Sequence, residues 1–209
     1  MRRLISVLAV ASICCFATSA NADSYGWEDG VGTVLGLYGT GDPPMIATNV
    51  GAPDPVYAGD RSLRLEDNSP SGTPQAYVAW IRGLQVNDVV TGSFWRYDTT
   101  PLVSPSCRIW GHWNDDPNDV MGYNGSASGN DDYGPGTGWD QTSYSWTVDP
   151  NAPHTGLVIE VRTYSNPGDT VWVDDIDVTA PAHATITLVP EPVSLVFVAL
   201  GGLALLRRR

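Results

Sequence analysis

Residues 106–113 read SCRIWGHW, and residues 170–179 read TVWVDDIDVT. In an extended strand the first stretch sends Cys107 and Ile109 one way and Arg108, Trp110 and His112 the other. An indole face takes the apolar C–H side of a sugar ring, and guanidinium and imidazole groups donate hydrogen bonds to its hydroxyls. That is binding chemistry for a glycan. Trp95 and Tyr97, in the strand expected just before, would lie beside these three residues and complete the candidate site. All eight Trp and nine Tyr fall between residues 25 and 172, and core packing is the alternative use of such rings.

The second stretch carries a parity fault. Val171 and Val173 share one face of a strand, whereas Ile176 and Val178 share the other. A β-bulge at Asp174-Asp175 would return both pairs to the core and turn a carboxylate toward the sheet edge. A plain charge cluster of Asp174, Asp175 and Asp177 that blunts an edge strand is the alternative.

Catalytic patterns are missing. His112, His154 and His183 are scattered, and neither H-E-x-x-H, C-x-x-C nor G-x-S-x-G occurs. Cys107 precedes Arg108 but has no base nearby in sequence. With 23 acidic residues, chance carboxylate pairs are unavoidable, and none sits in a glycosidase signature. The chain reads as a non-enzyme. Residues 113–139 form the longest loop-like stretch, with Asp115, Asp116, Asp119, Asp131 and Asp132 spaced unlike an EF-hand. A solvated surface loop, a specificity loop and a weak cation site all fit that composition.

The elements that must carry these residues are strands. Among 209 residues, 22 Gly and 16 Pro interrupt short runs rich in Val, Thr, Tyr and Trp, and no sustained helical period appears between residues 23 and 188. RSLRLE, 61–66, alternates Leu63 and Leu65 against polar neighbours. Further strands are expected at 75–82, 88–98, 106–113, 142–148, 156–164 and 170–179. Their number and turn-rich connections predict an all-β, two-sheet antiparallel sandwich.

Charge is segregated. The whole chain carries −12, yet residues 23–189 hold six Arg, no Lys and 22 of the acids, which leaves that part at −16. It lacks the clustered positive charge that phosphate binding needs, so nucleic acid is excluded as a partner. At the N-terminus, MRR, an apolar stretch from Leu4 to Ala17 and Ala20-Asn21-Ala22 read as an export signal over 1–22. Cys107 is then the only mature cysteine, and no intrachain disulfide is possible. At the C-terminus, VPEP precedes 14 uncharged residues, Val193 to Leu206, and then Arg207, Arg208 and Arg209. As a helix that run spans about 21 Å against a hydrocarbon core of about 30 Å, so it makes a short transmembrane helix and a poor permanent anchor. The arginines would stay on the cytoplasmic side.

That tail resembles the PEP-CTERM sorting signal. The resemblance implies an exosortase partner, transient insertion in the inner membrane, Pro190, Glu191 and Pro192 as the recognition motif over 189–209, and a processed protein at the cell surface or outside the cell. The prolines suit the role, because they keep the motif extended and accessible. YAGDRSLRLE, TGWDQTSYSWTV and GLVIEVRTYSNPGDTVWVDDIDV are similar to the jelly-roll carbohydrate-binding modules of the family 4 and 9 type, within the galactose-binding-like superfamily. This likeness implies a jelly roll over 23–180, followed by a linker over 181–188, and an extracellular polysaccharide as partner. It also implies a structural calcium ion at Glu28 and Asp175, with Asp60 and Asp174 beside them. A structural or adhesive matrix role without glycan affinity stays open beside the binding role, as does weak polysaccharide hydrolysis.

Overall fold

A computed structural model describes residues 20–100 and 102–189. The export signal up to residue 19 and the sorting motif Pro190, Glu191 and Pro192 with its apolar run and basic end lie outside the described residues. The described residues form twelve strands: β1 (Ala20–Tyr25), β2 (Gly36–Tyr38), β3 (Met45–Gly51), β4 (Arg61–Asp67), β5 (Gln75–Arg82), β6 (Val89–Asp98), β7 (Ser106–Trp113), β8 (Gly125–Gly129), β9 (Gly138–Thr147), β10 (Gly156–Tyr164), β11 (Thr170–Pro181) and β12 (Thr185–Leu188).

Alternation explains most of them. In β4, Leu63 and Leu65 are buried, while Arg64 and Glu66 look outward. In β6, Val90 and Phe94 are buried between outward Thr91, Ser93, Trp95 and Tyr97. β10 reads differently: residues Gly156 to Val161 are all buried, because the strand is central in its sheet, between β5 and β7.

The strands form two antiparallel sheets packed face to face. The first has the order β3-β4-β11-β6-β9, with β1 also pairing with β11, and the second β12-β5-β10-β7-β8, with β2 also pairing with β5. From β4 to β7 the chain changes sheet at every strand, and β8 to β12 resume the crossing. Phe94, Leu63, Val173 and Ile176 of the first sheet meet Ile81, Ile109, Leu157 and Ile159 of the second in one core. Trp27 and Trp146 are the tryptophans fully inside it.

The expected bulge is there. The register of β11 against β6 shifts between Asp174 and Asp177, Asp175 has φ 49°, and Val171, Val173, Ile176 and Val178 are all buried. All seven expected strands occur, three of them, β5, β7 and β10, with the expected ends. Residues 181–188, expected as a linker, instead contain β12, which pairs Thr185–Leu188 with Arg82–Ala79 of β5. The loop-like stretch 113–139 contains β8, a short edge strand on β7. β8 is made of Gly, Ser and Ala, so it shows no apolar alternation to read.

Candidate functional site

The residues expected to form one glycan site are divided between two faces. β6 belongs to the first sheet and β7 to the second. Trp95 and Tyr97 therefore stand on the outer face of the first sheet, while Arg108, Trp110 and His112 stand on the outer face of the second, with the core between them. The parity within β7 is as expected; the neighbourhood of β6 and β7 is not. From β4 to β7 each strand crosses the sandwich to the other sheet, so β6 and β7 do not pair.

On the second sheet, pairing builds rows of side chains across the strands. Trp110, Glu160 and Tyr77 are in register, as are Arg108, Arg162, Gln75 and Tyr38. Glu160 is the buried centre, 1% exposed. It lies 2.6 Å from His112 Nδ1 and accepts from Arg162 at 3.3 Å. With its amide in the orientation that satisfies both ends, Gln75 donates to Glu160 at 3.1 Å and accepts from Arg162 at 3.0 Å. His112, itself 1% exposed, holds the Gly122 carbonyl with its other nitrogen at 3.1 Å. It supports the floor of the face and is closed to a ligand. Burial and the Glu160 charge push the Tyr77 hydroxyl well above its ordinary range, so it stays protonated.

Around this floor the arginines lie on rings. The Arg162 guanidinium sits 4.5 Å from the Trp110 ring centroid, and that of Arg108 lies between Tyr133 at 3.9 Å and Tyr164 at 4.2 Å. Arg82 lies 4.5 Å from the Trp80 ring. Trp110 donates to Ser126 of β8 at 3.0 Å. Two tyrosines flank the group in the open: Tyr38 is 58% exposed and Tyr123, 5.6 Å from the His112 ring, 67%. Trp80 Nε1, Arg82 Nε, Arg108 Nε and Arg162 Nε are buried N–H groups without an acceptor among the described residues, and all four belong to this face. Three of the six arginines between residues 23 and 189 are gathered here. Nothing in a single-strand pattern shows that gathering, because Arg82, Arg108 and Arg162 come from three strands joined only by pairing.

The acids named for calcium hold a loop. Asp174 points outward from the bulge, is fully buried, and accepts from the Tyr57 and Ala58 amides at 2.9 and 3.1 Å and from Asp175 at 2.8 Å. Burial outweighs these bonds and pushes its carboxyl up to about 6. The Glu28 carboxylate accepts from the Asp60 amide at 3.0 Å and from that of Arg61 at 3.2 Å. Gly59 has φ 68°, and a side chain there would collide with the Glu28 carboxylate, so glycine is needed for the approach. Among the described residues, no group of three or more His, Cys, Asp or Glu side chains stands together as a metal cage. Glu28, Asp174 and Asp175 come together around Gly26, and the carboxylates of Glu28 and Asp174 are bonded there to backbone amides.

Acids in 113–139 are used locally too. Asp116, Asp119 and Asp132 accept from amides two residues on, and Asp132 also pairs with the buried Arg96 at 2.6 Å. Burial opposes ionisation of Asp132, but Arg96 and the Gly134 amide hold its carboxyl below the usual range. Cys107 is buried and pushed up to about 12 by that burial, which leaves an inert thiol.

No protein-family model matches the chain, and no curated protein does. Solved structures similar to it include the CBM22-2 xylan-binding domain of Xyn10C from Paenibacillus barcinonensis, 18% identical, covering 76% of this chain and 98% of that one at a TM-score of 0.47. The C-terminal family 22 carbohydrate binding module of Clostridium thermocellum Xyn10B is 13% identical, with 77% and 93% covered and a TM-score of 0.48. The K1 cleaved adhesin domain of Lys-gingipain from Porphyromonas gingivalis W83 is 13% identical, with 76% and 97% covered and a TM-score of 0.45. At that similarity none of them carries a ligand over to this chain.

Proposed function

We propose that the chain is an exported, non-catalytic jelly-roll protein that binds an extracellular polysaccharide on the outer face of its second sheet. The observation that carries this reading is the pair of exposed tyrosines, Tyr38 and Tyr123, flanking a floor where Arg108, Trp110 and Arg162 present rings and donors together. Exposed rings offer stacking surface, and the partly exposed Arg108 and Arg162 guanidinium groups offer donors to a ligand rich in oxygen acceptors. A neutral glycan supplies both. Turnover has no support in this geometry, because Glu160 is engaged by His112 and Arg162.

Affinity electrophoresis of the purified protein through gels containing xylan, hydroxyethylcellulose or galactomannan tests the reading. At least one polymer should retard it, and Trp110→Ala should weaken that binding about fivefold, the worth of one ring contact of about 1 kcal/mol. Unretarded migration in every gel would remove the ligand claim. Export and processing belong to the same proposal and rest on the resemblance of residues 189–209 to an exosortase signal. C-terminal mass spectrometry of the protein from its host should find an end close to Pro190-Glu191-Pro192.

A further inference from the structure

The outer face of the first sheet carries a second set of rings that the proposed site does not use. Pairing sets Thr48, Arg64, Trp172, Tyr97 and Trp139 in one row across β3, β4, β11, β6 and β9. The Tyr97 ring lies 5.9 Å from Trp172 and 5.4 Å from Trp139, edge to face in both cases. Trp95, one pleat along β6, is stacked under Tyr57 at 3.9 Å. All four strand rings are half-buried, and Tyr57 is exposed.

The bulge makes this face. Because β11 changes parity at Asp174-Asp175, its outward residues are Trp172 at one end and Asp177 and Thr179 at the other. Asp174 and Trp172 also fix the loop that brings Tyr57: the carboxylate takes the Tyr57 and Ala58 amides, and the indole donates to Asp54 at 3.0 Å. Beyond the rings on the same strands lies a shallow groove of about 370 Å³, lined by Thr91, Ser93, Ser143, Ser145, Asp177 and Thr179. Rings and a trough of hydroxyls thus run together along one sheet face.

We infer that this face is a second glycan-binding surface, so that one sandwich joins two neutral polysaccharide chains, one on each side. The inference rests on the glycan reading proposed for the second sheet. Its occupant follows from chemistry. The rings take C–H faces of sugars, and the groove offers hydroxyl donors and acceptors. Asp54, Asp174, Asp175 and Asp177 border the face, whereas its Arg64 is paired with Glu66 at 2.9 Å, so an anionic polymer is repelled and a neutral one is not.

A bridging assay tests it with the purified full chain. Soluble arabinoxylan and hydroxyethylcellulose are each offered in fluorescent form to beads carrying the same polymer. The unaltered protein should bind the beads and capture labelled polymer. Trp139→Ala and Trp110→Ala should each still bind the beads through the unaltered face and capture about fivefold less labelled polymer. Trp172→Ala, checked by melting, guards against a folding effect of either variant. Loss of all bead binding in Trp110→Ala would overturn the second surface and leave the first reading standing. Bridging by Trp139→Ala and Trp172→Ala at the unaltered level would also overturn it. An unaltered protein that binds neither polymer would sink the glycan reading and this inference with it. Sedimentation without polymer separates a remaining occupant: a dimer that Trp139→Ala dissolves would make the face a contact between copies and overturn the inference.

Discussion

The two outer faces of the sandwich use aromatic rings in opposite ways. On the second sheet, rings lie under guanidinium groups, and a buried carboxylate, Glu160, ties three strands together through His112, Arg162 and Gln75. On the first sheet, rings pack on rings, and the only arginine in the row is turned to Glu66. One face depends on fixed charge and the other on contact area. A face built on a buried ion pair tolerates little change at its centre, whereas a face built on ring edges loses stability in small steps.

Removing the charge at the centre should give the largest effect. Glu160→Ala leaves His112 and Arg162 without their partner in a buried site and should cost about 3–5 kcal/mol, read as a lower denaturant midpoint. If Trp172→Ala on the other face lowered the midpoint as far, the contrast between the faces would fail.

Next in size is the pH response of the first face. Burial raises Asp174 from 3.8 to about 6, so the unfolded chain ionises first as pH rises. Its contribution is full below pH 3.8 and is lost as pH passes about 6, a change of about 3 kcal/mol at most. The stability of the unaltered protein minus that of Asp174→Asn should therefore fall between pH 4 and 7; a flat difference would show that the amides of Tyr57, Ala58 and Asp175 fully compensate for burial.

A smaller effect, about 1 kcal/mol, is expected from Tyr57→Ala, which removes the ring stacked on Trp95. Tryptophan emission should shift red as Trp95 is uncovered, while polymer binding through the second sheet is unchanged. Calcium should matter least. A resident ion at 100 times its dissociation constant would add about 2.7 kcal/mol, and with Glu28 and Asp174 already bonded to amides the difference between calcium and EDTA should stay well below that. A shift of the full size would show that the loop gives up those amides to a cation.

Much of the fold could be read from alternation alone. Leu63 and Leu65, Cys107 and Ile109, and the split pairs of β11 each announce a face, and the parity fault at Asp174-Asp175 announces the bulge. The five strands that were not expected are short, edge-lying or without apolar alternation, as in the Gly-Ser-Ala-Ser-Gly of β8. The candidate site was legible only in pieces. Arg108 and Trp110 do face outward together, but His112 faces outward only to be covered by Tyr123 and Tyr77, which no local pattern shows.

By itself, the sequence determined which side of β4, β7 and β11 faces the core, the place of the bulge, and the acidity of the domain. These follow from a two-residue period and from composition, both local properties. Only the tertiary structure decided which strands are neighbours. Pairing is chosen by closing one core from distant segments, so it separated Trp95 and Tyr97 from Trp110, joined Arg82, Arg108 and Arg162 on one face, and gave the Asp174 carboxylate to the backbone of a loop more than a hundred residues away.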